Sequence, residues 1–365
     1  MEQYTEYELG AICSRLSSGK GISARNITDE GEYPVYGGNG LRGYTGTCNF
    51  DGDCAIIGRQ GAFCGNVRYF NGQAYMTEHA VVCCANEEHN TRYLAYLLST
   101  MNLGRLSGQS AQPGLSIKTL SKQIVRMPSL EQQKKVVSVL SALDAKIASN
   151  EKINDNLQQQ AAALFSSLYD RTNTEVRFTD LIQILGGGTP KTGENTYWNG
   201  NIAFFTPKDV GTPYTLITEK TITEEGLSHC NSRLYPVNTV FVTARGTVGK
   251  VGMSGVPMAM NQSCYALVGK ETHQLLVYFY TLKAVDRLKH KASGAVFDAI
   301  TTRDFESEQI MKLSDDDAKA FLCIAEPMFQ KVLNNCIENL RLSTLRDSLL
   351  PKLMSGEVDV SAVQL

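Results

Sequence analysis

No apolar run in the chain approaches the roughly 20 residues that a membrane-crossing helix requires. The polar opening MEQYTEYELG does not read as a secretory signal. A net charge of −2, from 35 Lys and Arg against 37 Asp and Glu, supplies no bulk attraction to nucleic acid. Any DNA surface must come from local clustering of cations. Ten cysteines are scattered through 365 residues, with no CxxC pair and no Cys/His group at zinc spacing. The adjacent Cys83 and Cys84 are badly placed to pair with each other, so reduced thiols in a cytoplasm are expected. None of His79, His89, His229, His273 and His290 stands in an HExxH or comparable ligand pattern, and no nucleophile elbow occurs. Residues 38–43 spell G-x-G-x-x-G, but YTGTCNFDG follows where a dinucleotide site needs a helix. Residues 186–192 look like a phosphate loop, yet Pro190 precedes Lys191 and the G-x-x-x-x-G-K spacing is missing. There is also no acidic-aromatic run of the kind methyltransferases use for a target amine. Catalysis, metal and cofactor are all unexpected. The chain is expected to bind.

Glycine and proline are also missing from residues 129–170, and there the chain becomes periodic. Val136, Leu140, Leu143, Ile147, Leu157, Ala161, Leu164 and Leu168 recur in steps of three and four, with Asn150 and Asn154 filling the two central places. This is a coiled-coil stripe, and at ~1.5 Å per residue it makes a rod of roughly 60 Å. Pro128 closes the preceding segment, and Ser129 with Gln132 reads as a capping box. Such a stripe needs a partner of similar length. An offset of 185 (328 − 143 = 185) turns it into Phe321, Ala325, Met328, Val332, Asn335, Asn339, Leu342, Arg346, Leu349 and Leu353. Both asparagines fall on asparagines and only Arg346 breaks the apolar set, so a tandem duplication is read. Antiparallel pairing would set Asn150 against Asn339 and Asn154 against Asn335, with Leu157 on Val332 and Ile147 on Leu342. Buried polar pairs of this kind weaken a coil but define its register. Ile153, Ile337 and Leu340 lie off the seam.

The rest of the chain has the texture of short strands between Gly, Asn and Asp clusters, with helices at about residues 91–101 and 273–290. Both globular parts follow one order. Ala55-Ile56-Ile57 with Arg59 and Gly61 is echoed by Val240-Phe241-Val242 with Arg245 and Gly246, and Tyr75-Met76-Thr77-Glu78 by Ala259-Met260-Asn261-Gln262. Gly114-Leu115-Ser116-Ile117-Lys118 likewise returns as Ala299-Ile300-Thr301-Thr302-Arg303. The expected fold is α+β: two related globular domains separated by two long helices that form an intramolecular antiparallel coiled coil with pseudo-two-fold symmetry. Tyr197-Trp198 and Phe204-Phe205 are expected in a core, and Asp315-Asp316-Asp317 in the first turn of a helix, where negative charge is favoured.

Three segments resemble the DNA-specificity subunits of type I restriction-modification systems. They are LGGGTPKTGENTYWNGNIAFFTPKDVG (residues 185–211), MPSLEQQKKVVSVLSALDAKI entering the first long helix, and LLPKLMSGEVDV near the end. The resemblance covers essentially the whole chain. It departs from the family at KLSDDDAKAF, where the second helix lacks the Pro-Leu-x-Glu-Gln entry. It implies target-recognition domains at residues 1–128 and 171–313, each reading one half of a bipartite, asymmetric DNA target. Spacer helices at 129–170 and 314–365 would set the spacing and dock two methyltransferase subunits. It implies a non-catalytic subunit whose partners methylate adenine with S-adenosylmethionine and, with restriction subunits, cleave DNA in an ATP-driven complex. The competing reading is a coiled-coil scaffold that joins two protein- or ligand-binding domains without nucleic acid.

Phosphate contacts favour Lys, Arg and hydroxyls, base reading favours Arg, Asn and Gln, and Gly-rich loops let a backbone approach a duplex. In the first domain these rules select Lys20, Arg25, Asn26, Asn39, Arg42, Arg59, Gln60, Gln109, Ser110, Gln112 and Lys118. In the second they select Thr189, Lys191, Lys208, Asp209, Arg245, Lys250, Ser293 and Arg303. Arg59 and Arg245 stand out because each follows a strand at a corresponding place.

Overall fold

The computed structural model describes residues 4–107, 114–211, 213–291 and 299–363. It forms two compact units, Met1–Lys146 with Leu342–Leu365, and Ile147–Arg341, so each unit takes part of both long helices.

The first unit begins with β1 (Thr5–Glu8), β2 (Cys13–Ser18), β3 (Tyr33–Gly37), β4 (Gly40–Thr45), β5 (Phe50–Gly58), β6 (Val67–Met76) and β7 (Ala80–Ala85). It continues with α1 (Thr91–Thr100), α2 (Ile117–Ser121) and β8 (Ile124–Met127), and the chain then enters α3 (Leu130–Tyr169). Six strands form one sheet in the order β2-β7-β5-β6-β3-β4. All neighbours are antiparallel except β3 and β6, which pair in parallel at Val35↔Tyr75 and Tyr36↔Met76. The central strands β5 and β7 are apolar on both faces, as strands covered on both sides must be. Asn90 caps α1 by accepting the Tyr93 N–H at 2.9 Å, and the helix buries Tyr93, Leu94, Leu97 and Leu98 at helical spacing. β1 pairs with β8, so the first and last strands of the unit lie side by side.

The second unit repeats this plan with β9 (Glu175–Arg177), α4 (Phe178–Leu181), β10 (Ile182–Gly186), β11 (Trp198–Phe205), β12 (Tyr214–Thr215), β13 (Lys220–Ile222) and α5 (Glu224–Ser228). Then come β14 (Val240–Thr243), β15 (Val251–Ser254), β16 (Met258–Met260), β17 (Cys264–Gly269), α6 (Gln274–Lys291), α7 (Thr302–Ser307), β18 (Gln309–Met311) and α8 (Asp315–Ser355). β10 lies against β17 as β2 lies against β7, and β14 pairs with β17 as β5 does with β7. The strands here divide into two sheets, β10-β17-β14-β15-β12 and β13-β11-β16; β11 and β16 pair in parallel, as do β12 and β15, and β9 with β18 closes the unit. Phe204 and Phe205 are buried, as expected; Trp198 is half-buried, edge-on to Phe204, and Tyr197 stacks on His229.

Both long helices start at equivalent serines (314 − 129 = 185). Ser129 Oγ accepts the Gln132 N–H at 3.3 Å, and Ser314 Oγ accepts the Asp317 N–H at 3.1 Å while donating to Asp317 Oδ2. The second helix thus has a sound cap despite its different entry sequence, and its first turn carries Asp315, Asp316 and Asp317. Gln133, fully buried, anchors the start of α3 to its unit by donating to Pro128 O at 2.9 Å and accepting the Asn90 N–H at 2.8 Å.

Within the second unit α3 and α8 run antiparallel with the register expected from the sequence. Asn150 Nδ2 donates to Asn339 Oδ1 at 2.8 Å, and Asn335 Nδ2 donates to Asn154 Oδ1 at 2.8 Å. The side-chain oxygens of Asn150 and Asn335, the equivalent residue of each helix, are buried without a partner among the described residues. Leu157 and Val332 pack in the same core, whereas the off-seam Ile153 is 39% exposed.

The two units finish the seam with different chemistry. In the first, Arg346 reaches Asp144 at 3.0 Å, and Asp144 also takes Arg92 at 3.3 Å and the Tyr96 hydroxyl. Burial and the adjacent Asp144 push the Tyr96 phenol well above its ordinary range. In the second unit the equivalent places (329 − 144 = 185; 346 − 161 = 185) hold Phe329 and Ala161. An aromatic cluster forms there instead, with Phe165 5.0 Å from Phe279 and 5.4 Å from Phe321, and Phe329 5.6 Å from Phe279.

Phe165→Ala should therefore cost about 3–5 kcal/mol, read from urea unfolding. Asn150→Leu alone should cost about 1–3 kcal/mol, because it strands the Asn339 amide oxygen in the seam. Asn150→Leu with Asn339→Leu should cost less than the single change, since no polar group is then left unpaired across that layer.

Candidate nucleic-acid interface

In the first unit the selected loops converge on one end of the sheet. The β3–β4 turn contributes Gly38, where an added Cβ would lie 3.0 Å from the His79 carbonyl oxygen and 3.5 Å from the Arg59 nitrogen. That brings Asn39 beside the end of β5. Arg42 and Arg68 border the same turn: a Cβ on Gly37 would meet the Arg42 side chain at 2.7 Å, and one on Gly40 the Arg68 guanidinium at 3.2 Å. Arg59 Nη1 donates to Ser18 Oγ at 3.2 Å, so this half-buried side chain is held at the tip of β2. Its carbonyl accepts the Leu115 N–H at 2.9 Å, and Gln60 bridges to Gly114. The Lys20 N–H donates to Met76 O at 2.9 Å, and at Gly19 a Cβ would lie only 2.0 Å from that oxygen, so no larger residue fits. Asn26 lines an open polar cleft of about 410 Å³ with Gly21, Thr45 and Tyr75, and Arg25 is exposed in the same short 3₁₀ turn. Lys118 is exposed in α2, which Ser116 caps by accepting the Thr119 N–H at 3.0 Å.

The second unit builds the same arrangement from different side chains. The Gly188 N–H donates to Met260 O at 3.1 Å, and a Cβ on Gly187 would lie 2.2 Å from the Asn261 oxygen, repeating the Gly19–Lys20 contact. Thr189 Oγ1 bonds Gln262 Oε1, and Lys191, exposed, accepts the Trp198 indole N–H on its carbonyl at 3.3 Å. Asp209 is structural in its bonding, since its carboxylate accepts the Thr206 and Glu219 N–H groups at 2.8 and 2.7 Å. Lys208 is exposed and pairs with Glu219 at 3.4 Å. Arg245 and Lys250 are exposed on one loop, which Thr247 ties to Pro207 O at 3.3 Å. Arg303 is exposed in the first turn of α7, which Thr301 and Asp304 cap reciprocally.

Backbone partners correct one correspondence. Ile300 donates to Ala244 O as Leu115 donates to Arg59 O, and Arg245 bridges Ala299 as Gln60 bridges Gly114. Arg245 is therefore the counterpart of Gln60, and Ala244 that of Arg59. The two arginines sit one place apart, one tethered to Ser18 and the other exposed. Gln109, Ser110, Gln112 and Ser293 lie outside the described residues. Arg68 escaped the sequence reading because it lies inside the long strand β6, far in sequence from the turn it borders. No group of three or more His, Cys, Asp or Glu suited to a metal ion occurs among the described residues. Nor is any helix there long and apolar enough to cross a membrane.

Exposed cations, amides and hydroxyls on glycine-tightened loops can hold phosphates and read base edges. Comparison with known proteins points the same way. Over 140 residues the chain is 41% identical to the type I restriction enzyme EcoprrI specificity subunit of Escherichia coli, a match covering 37% of this chain and 35% of that one. It is 24% identical over 301 residues to the MjaIX specificity subunit of Methanocaldococcus jannaschii, covering 74% of this chain and 69% of that one. The crystal structure of a type I restriction-modification system S subunit from M. genitalium shares the fold, with a TM-score of 0.65 at 17% identity over 96% of each chain. The family model for the type I restriction modification DNA specificity domain matches residues 1–159 and again residues 171–312. The chain belongs to this family and carries its domain twice.

Proposed function

We propose that the chain is the non-catalytic DNA-recognition subunit of a type I restriction-modification complex. Residues 1–128 and 171–313 act as reading heads for the two halves of a bipartite target, and residues 129–170 and 314–365 form the spacer between them. The observation that carries this reading is the repetition of one loop constellation in two units whose side chains differ. Where the first unit offers Arg59 and Gln60, the second offers Ala244 and Arg245, so the two halves of the target need not match. Partners of this subunit are duplex DNA, two methyltransferase subunits that modify adenine, and restriction subunits. The side chains left free to meet DNA are the solvent-exposed Lys20, Arg25, Asn39, Arg42, Gln60, Lys118, Lys191, Arg245, Lys250 and Arg303. Arg59, Thr189 and Asp209 have internal hydrogen bonds that position the loops carrying them.

The direct test is to mix the full chain with its cognate methyltransferase and titrate duplex DNA over a range of salt. Site-specific binding that weakens steeply with salt supports the reading; binding indifferent to sequence and salt overturns it. Mapping methylated adenines in the host genome with and without the gene identifies the target. Against that target, Arg245→Ala and Gln60→Ala should each relax one half-site by about 1–3 kcal/mol and leave the other unchanged. Inserting one heptad into both α3 and α8 at matched places lengthens the rod by about 10 Å. At ~3.4 Å per base pair the methylated half-sites should then move apart by about three base pairs, with each half unaltered.

A further inference from the structure

Two equivalent glycines meet different neighbours, a stretch of backbone in the first unit and a lysine side chain in the second. Gly65 and Gly249 are equivalent, by the offset that carries β7 onto β17 (264 − 80 = 184), and both have positive φ, 85° and 75°. In the first unit the backbone of Gly104 closes on Gly65; an added Cβ there would meet the Gly104 nitrogen at 2.1 Å. In the second unit the place against the equivalent glycine is taken by Lys289, from the last turn of α6. It fills the same slot with its side chain, and a Cβ on Gly249 would meet Lys289 Cε at 2.6 Å. The difference follows from helix length. α1 stops at Thr100, while α6 runs on to Lys291 and carries a side chain into the slot.

The last turn of α6 divides its cations. Lys291 Nζ lies 2.5 Å from the buried Glu308 carboxylate, and Arg287 donates to Gln309 O at 2.7 Å and lies 3.8 Å from Glu308. Lys289, between them in sequence and two residues from each, lies against the Gly249 loop instead. Lys289, Arg245 and Lys250 are exposed, and none has a carboxylate partner among the described residues. The loop that bears Arg245 and Lys250 is tied down: Thr243 Oγ1 accepts the Lys250 N–H at 2.9 Å, and Thr247 bonds Pro207 O. Lys289, from the last turn of α6, therefore lies against the loop that carries Arg245 and Lys250, and none of these three cations is neutralised by a carboxylate there.

We propose that Lys289 is a phosphate-contacting residue of the second unit, gripping the DNA backbone beside the Arg245–Lys250 loop. This rests on the DNA-binding reading above. The contact is to phosphate and not to a base, so Lys289 adds affinity and fixes the unit's position without altering which sequence is read.

The test uses the full chain mixed with its cognate methyltransferase and a random-sequence duplex, with affinity measured by fluorescence anisotropy between about 50 and 200 mM salt. Lys289→Gln should reduce the magnitude of the log-affinity against log-salt slope by about 0.9, the value for one phosphate contact. Lys289→Arg should keep the wild-type slope. Lys319→Gln, which removes the same charge from the start of α8, should also leave it unchanged. If Lys289→Gln superimposes on Lys319→Gln while Arg245→Gln lowers the slope, the loop binds DNA but Lys289 does not, and the proposal is overturned. If the wild-type chain itself shows no salt-dependent binding, the DNA reading fails and the proposal falls with it.

Discussion

Two amide pairs in the α3–α8 seam, Asn150 with Asn339 and Asn154 with Asn335, hydrogen-bond across the helices at a single alignment. Sliding either helix by one heptad would set amides against the apolar residues of the seam and leave their polar atoms unpaired in a dry layer. Each such loss costs on the order of 1–3 kcal/mol. An all-leucine seam would be more stable but would tolerate several alignments.

Duplication explains the symmetry of that seam, and divergence explains how each helix region is joined to its own unit. Asp144, Arg92, Tyr96 and Arg346 form a polar knot in the first unit, where the second stacks Phe165, Phe279, Phe321 and Phe329. The places match, yet the chemistry does not. An ion pair that is about a quarter to a third exposed contributes less than a buried aromatic cluster of this size. In exchange it rejects the wrong neighbour, because the helix stretch bearing Phe329 would leave Asp144 facing a hydrocarbon.

The helices were legible in the sequence because a seam needs only periodicity, and the asparagines revealed their register by recurring at one offset. A second packing face was not foreseen. Phe165, Tyr169, Phe329 and Leu333 lie beside the seam residues and bury themselves in their own unit, which a single stripe does not disclose. The strands were legible as texture but not as pairing, since runs such as Ala55 to Ile57 carry no mark of which neighbour they bond. For the same reason Arg59 was matched with Arg245, when backbone partners join Gln60 to Arg245. Whether a loop arginine faces outward or is tied to a serine 41 residues away depends on strand order, here β2-β7-β5, which pattern alone does not express.

In each unit the first strand lies beside the last, Thr5 opposite Met127 in one and Glu175 opposite Met311 in the other. Entry and exit of the chain are therefore neighbours, and everything between them is enclosed in a loop with a closed neck. A recombination event that exchanges the enclosed segment for a foreign one of similar plan has to rejoin the chain only at that neck. The contacts that the rest of the chain makes within its own unit are then left as they were.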